Sequence, residues 1–236
     1  MTAIRTVPVH EIVQRTFPRP PKDGDEVAMA IGRAIDGTLS EVGHWFRQGR
    51  RPTSSGLRTM SAARLDDELE TAGQELDPSA RERVLVEMQG VLQAYRASEI
   101  FGLARPKTRM ILIGQEVGIY AQPDYWDGVR RFFEMKSYLA IPPPPDVALQ
   151  LRLFQLAFPG LESVLICLDR HSRPVATRSL VVAPPTPEES AGALRLALKV
   201  AREHGEPKVL EYVEGPFVPY SLPSEEGKGW SGEPSG

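Results

Sequence analysis

The chain has 236 residues, of which 41% are hydrophobic and 25% charged, with a formal net charge of −3. Such a length accommodates one sizeable domain or two small ones, and the charge excludes a global basic field, so any nucleic-acid footprint must be local. The single cysteine, Cys167, excludes an internal disulfide and a cysteine-built zinc cluster, and its apolar setting in SVLICLDR marks it as core.

The opening MTAIRTVPVHEIV carries no long apolar region, and no stretch elsewhere approaches membrane-spanning length. A cytoplasmic protein without membrane contact is the expectation. Residues 1–24, rich in Pro, Arg and Lys, read as an extended arm with a short helix at VHEIVQR. The spacing of Val27, Ile31, Ile35, Leu39 and Val42 predicts a helix from Asp25, with acids at its start and Arg47 near its end suiting the dipole. After the basic, turn-rich RRPTSSGLRTMS, the segment SAARLDDELETAGQ reads as a second helix. A third, longer helix opens on Asp77-Pro78-Ser79 and stops near Gly102.

The pattern then changes to strands. TRMILIGQEVGIYAQPDYWDG holds β-branched and apolar runs broken by Gly114 and Gly118, and RRFFEMKSYLA follows the WDG turn, so the two can pair as a hairpin. A Pro-rich loop leads into a helix carrying Val147, Leu151, Phe154 and Leu156 on its apolar side. LESVLICLDRHSRPVATRSLVVAP reads as two strands, and a helix runs from Thr186-Pro187-Glu188 to Gly205, with KVLEYVEG as a last strand. Residues 25–222 are thus expected to form one α/β domain with a single mixed central sheet flanked by helices, followed by a disordered tail over 223–236.

The stretch QPDYWDGVRRFFEMKSY places Asp124, Glu134 and Lys136 close together in apolar and aromatic surroundings. One explanation is a wet strand face with an incidental ion pair, since Glu134 and Lys136, two residues apart, share a face. The other is phosphodiester hydrolysis with a divalent cation. Such a site needs oxygen ligands for the ion, which acidifies water and offsets phosphate charge. A lysine beside it orients the attacking water and stabilises developing negative charge. An acid ending one strand, a second acid on the next and a lysine two residues further supply that set, and Met135 would face the core.

Pro123-Asp124 and Glu134-Met135-Lys136 resemble the signature of the PD-(D/E)XK nuclease superfamily. Two flanking motifs are similar to its RecB-like exonuclease branch. Gln150-Leu151-Arg152-Leu153-Phe154 resembles that branch's Gln-Leu-x-x-Tyr helix, with Phe in place of Tyr. Gly32-Arg33-Ala34-Ile35-Asp36-Gly37-Thr38-Leu39 resembles its first-helix motif, with Asp36 standing where the branch has His. The resemblance spans roughly residues 25–170 and lacks the four cysteines of the branch's iron–sulfur cluster. It implies a restriction-endonuclease-like core, catalytic residues Asp124, Glu134, Lys136 and Gln150, and Asp36, Asp124 and Glu134 as ligands of Mg²⁺ or Mn²⁺.

Glu41 rivals Asp36 as the helix acid, and Glu116 and Asp127 are weaker candidates, the latter in an Asp-Gly turn. His10, His44, His171 and His204 show no metal-ligand spacing, and no phosphate loop of the Walker type is present. For nucleic acid, Arg47, Arg50 and Arg51, joined by Arg58, follow the first helix, and Arg130 and Arg131 lie beside the proposed site. Arg105, Lys107 and Arg109 form another basic group, and Tyr125 and Trp126 are either stacking platforms or core. Hydrolysis of DNA, with RNA as the alternative substrate, in repair, defence or mobile-element processing is therefore expected. A rival is an inactive nuclease-fold module that binds nucleic acid or protein partners in a larger complex. A third is an unrelated α/β protein carrying the motif by coincidence.

Overall fold

A computed structural model describes residues 3–18, 24–114, 116–136, 142–169, 172, 174–209 and 217–220. The expected tail over 223–236 and His171 lie outside the described residues. Strand β1 (Ala3–Pro8) leads directly into helix α1 (Val9–Thr16), followed by α2 (Asp25–Arg47), α3 (Ser54–Thr71) and α4 (Pro78–Ala97). Next come β2 (Arg109–Ile113), β3 (Val117–Ala121), β4 (Tyr125–Trp126), β5 (Arg131–Lys136) and α5 (Pro145–Ala157). Strands β6 (Glu162–Asp169) and β7 (Ala176–Val182), helix α6 (Pro187–His204), then β8 (Glu206–Val209) and β9 (Phe217–Tyr220) complete the described elements.

Local chemistry explains most boundaries. Thr53 starts α3 by accepting the Gly56 N–H, and Asp77 starts α4 by accepting the Ala80 N–H at 2.9 Å. Thr186 and Glu189 close a capping box at the start of α6. Pro145 sits in the first turn of α5, where its missing N–H would have no helical partner. Helix α4 ends at Ala97 rather than near Gly102, because Ser98 turns the chain back with its hydroxyl on the Tyr95 carbonyl.

The expected α/β class holds, but the strands form two mixed sheets, ordered β8-β1-β3-β2-β9 and β4-β5-β6-β7. The single expected sheet divides because both edges of β3 are taken, by β1 in parallel and by β2 antiparallel. No edge of β3 is left for β5, which pairs with β4 and, in parallel, with β6. The hairpin expected between 108–128 and 130–140 is therefore two hairpins: β2 with β3, and the short β4 with β5. Strand β3 approaches β2 closely: a Cβ on Gly118 would meet the Met110 sulfur at 2.5 Å.

The extended arm expected over 1–24 is also corrected. Residues 3–8 form an inner strand between β8 and β3, with Ile4, Thr6 and Val7 buried. Its sequence, AIRTVP, is short and carries Arg5 and Pro8, which hid it among the Pro- and Arg-rich residues that follow.

Two apolar cores flank β5. Phe132 joins one with β2, β3, α1, α5 and α6, whereas Phe133 joins the other with α2, α3, α4 and β6. Both rings are fully buried, as the pleat requires of consecutive residues in a strand covered on two faces. Phe133→Ala is expected to cost about 3–5 kcal/mol, read as a lower midpoint in urea unfolding with an unchanged slope. Val129→Ala, 72% exposed, should stay within about 0.5 kcal/mol of the parent.

Candidate active site

The two cores dictate where the charged end of β5 points. Glu134 and Lys136 share the face of Phe132, toward α5, while Met135 turns toward α2 and α4. Gln150 lies on α5 and donates from Nε2 to Glu134 Oε1 at 2.9 Å. Lys136 Nζ reaches the same oxygen at 2.6 Å. Glu134 is 3% exposed, so these two donors compensate a carboxyl group that water scarcely reaches.

Asp124 arrives from the other side. Tyr125 pairs with Phe133 in the antiparallel β4–β5 ladder, and Asp124, the residue before that strand, comes close enough for its charge to act on Glu134. The Asp124 side chain takes over the ladder there: Oδ2 accepts the Met135 N–H at 2.9 Å. Arg105 stands 3.7 Å from Oδ1 of the same carboxylate.

Asp36 comes from α2. With Gly32, Ile35, Val91, Met135, Lys136 and others it lines a cavity of about 240 Å³. Its rival Glu41 turns away and pairs with Arg64 at 3.1 Å. Asp36 is exposed to solvent, although protein crowds its carboxyl group.

The electrostatics follow from three acids meeting one half-buried lysine. Burial, then the charge of Asp124, pushes Glu134 up to about 8, against the lowering effect of Lys136. Burial and Asp124 likewise raise Asp36 to about 6. Burial disfavours the charge on Lys136, but Glu134, Asp124 and Asp36 outweigh it and raise its pKa, so it remains an ammonium. Among the described residues no three His, Cys, Asp or Glu side chains stand at metal-holding separations. The donor set nonetheless suits a hard divalent cation in its chemistry: all three acids offer oxygen, and their mutual repulsion is what such a charge would relieve.

The other sequence candidates lie elsewhere. Arg131 is engaged by Glu99 at 2.8 Å and Asp127 at 3.3 Å, and the length of β5, about 3.3 Å per residue, separates it from Lys136. Arg130 is exposed at that same far end. Arg47 donates to the Leu103 carbonyl at 2.8 Å, Arg51 stacks on Phe46 with its guanidinium 4.3 Å from the ring centre, and Arg50 is exposed on the following loop. None of these five lines the cavity at Asp36. Tyr125 is no stacking platform: it is buried, its ring 6.1 Å from that of Tyr95. Asp127 is a turn residue whose Oδ1 accepts the N–H groups of Val129, Arg130 and Arg131. Glu116 pairs with Arg202 at 3.2 Å, and His44 contacts Gln48 at 2.8 Å.

Arg105 is the site residue that motif reasoning passed over. Its only signal was membership of a basic group before β2. Its approach to Asp124 depends on a bridge between Ala104 and Trp126, a pairing across the fold that no sequence spacing announces.

No family model matches the chain, and no curated protein matches it. A crystal structure of a candidate exonuclease from Eubacterium rectale is similar in fold, with a TM-score of 0.50 at 10% identity over 89% of this chain and 86% of that one. A second solved structure, SSO0001, matches at TM-score 0.38 and 14% identity over 87% and 79% of the two chains, and no argument rests on it. At 10% identity the likeness to the Eubacterium rectale protein concerns the fold alone. Among the described residues no helix is long and apolar enough to cross a membrane.

The raised Glu134 makes a signed pH prediction for the cation-free protein. Because its folded pKa, about 8, exceeds the ordinary 4.5, its contribution to stability is complete below about pH 4.5 and is lost as pH rises toward 8. Glu134→Gln should flatten the fall in melting temperature between pH 5 and 8, measured in chelator. A fall as steep in the variant as in the parent would rule out Glu134 as its source.

Proposed function

We propose that the protein is a divalent-cation-dependent nuclease of the PD-(D/E)XK superfamily, in its RecB-like branch, hydrolysing DNA phosphodiester bonds. The observation that carries this reading is Asp124, held on the Met135 N–H, standing close enough to act on Glu134, with Lys136 and Gln150 both on Glu134 Oε1. Asp36, Asp124 and Glu134 would hold Mg²⁺ or Mn²⁺. Bound there, the cation supplies positive charge at the scissile phosphate and acidifies water.

The chain's own groups do the rest. Gln150 and the register fix the Glu134 carboxyl, and the Met135 N–H fixes Asp124. Lys136, raised in pKa by the acids around it, keeps its proton and would orient the attacking water while stabilising negative charge on the phosphate. The fold of the Eubacterium rectale candidate exonuclease supports the reading.

The direct Lys136–Glu134 ion pair also favours a second reading. In it the acid is neutralised internally, and the domain binds nucleic acid or a protein partner without cleaving.

One experiment separates the two. Purified protein is incubated with single-stranded, double-stranded and branched DNA, and with RNA, in Mg²⁺ or Mn²⁺. Cleavage is expected, stopped by chelator and abolished by Glu134→Gln. Lys136→Ala should lower kcat roughly a hundredfold or more, the scale of one lost electrostatic contact in a transition state (about 2.7–4 kcal/mol), with less effect on cation affinity. No cleavage of any substrate, and no cation binding by calorimetry, would establish the non-catalytic reading instead.

A further inference from the structure

Arg105 is an exposed side chain on an unusually well-held segment. Leu103 O accepts from Arg47 Nη1 at 2.8 Å, Ala104 O from the Trp126 N–H at 3.0 Å, and Pro106 O from Gln122 Nε2 at 2.9 Å. The carbonyls on both sides of Arg105 are thus anchored, by α2, by β4 and by the residue two before Asp124. Pro106 itself is buried. The side chain these bonds present is 56% exposed and meets Asp124 at 3.7 Å, too long for a strong hydrogen-bonded pair.

An exposed ion pair of that kind contributes only about 0–1 kcal/mol, so stability does not account for fixing the segment so firmly. A guanidinium held beside Asp124 and within the field of Asp36, half in water, is instead placed for an anion that arrives beside them. Its planar fork matches two phosphate oxygens.

We infer that Arg105 binds a phosphate of the nucleic-acid substrate next to the scissile one, giving up Asp124 to do so. Arg47, Trp126 and Gln122 are positioning residues for it. The inference rests on the nuclease reading and assigns to Arg47 an indirect role, through Leu103, in place of direct phosphate contact.

The test uses the full-length Glu134→Gln protein, which separates binding from cleavage, and a fluorescein-labelled DNA oligonucleotide, single-stranded and as a duplex. Arg105→Ala in that background is expected to weaken binding about tenfold. It should also reduce the slope of log affinity against log salt by about 0.7 for the single strand and 0.9 for the duplex, the loss of one phosphate contact. Arg83→Ala, on the exposed surface of α4, measures the effect of removing one positive charge anywhere. Arg105→Lys should recover part of the affinity but not the fork geometry. In the otherwise wild-type enzyme, Arg105→Ala should raise KM more than it lowers kcat, with an unchanged melting temperature. Binding and salt slope equal to those of Arg83→Ala, in a protein that does cleave DNA, would overturn the role of Arg105 alone. A wild-type protein that neither binds nor cleaves either probe would overturn both this assignment and the nuclease reading.

Discussion

The site depends on the coverage of β5 from both sides. Phe132 and Phe133 are buried in different cores, and a strand fixed in that way cannot slip by one residue without driving Arg131 or Glu134 into a position that a Phe now fills. The acid and the lysine that follow inherit this constraint. Glu134 must enter the α5 side and remain there, even though burial disfavours its charge. Gln150 and Lys136 are what the protein supplies in exchange for water.

Consequently the site is assembled from elements with separate structural duties. Helix α2 contributes Asp36 while packing Ala30, Ala34, Leu39 and Val42 into the core with α3 and α4. Helix α5 contributes Gln150 between Leu149 and Leu151, which serve two different apolar clusters. The loop after β3 contributes Asp124 beside the buried Pro123, at the point where the chain leaves one sheet for the other. The acids therefore gather at a seam between the sheets, where side chains complete what the backbone ladder does not.

Much of this was legible in the sequence because it rests on local rules. The spacing of Val27 to Val42 gave α2, the Thr186 and Asp77 signals gave the starts of α6 and α4, and two-residue spacing put Glu134 with Lys136. What was hidden is non-local. The separation into two sheets follows from which edges of β3 are already taken, and β1 is a strand only because β3 and β8 lie on either side of it. The placement of the basic residues was hidden for the same reason. Arg131 looked close to Glu134 along the chain but points to Glu99 and Asp127, whereas Arg105 looked remote and stands at Asp124.

The inner position of β1 also bears on how the chain is made. Arg5 pairs with Val117 on one side and with Pro207 on the other, so a strand synthesised early waits for partners synthesised much later. Until then both of its edges are open, a condition that favours pairing with other chains. Its brevity, and the presence of Arg5 and Pro8, reduce that hazard. The same residues that made β1 hard to recognise as a strand keep it from acting as one too soon.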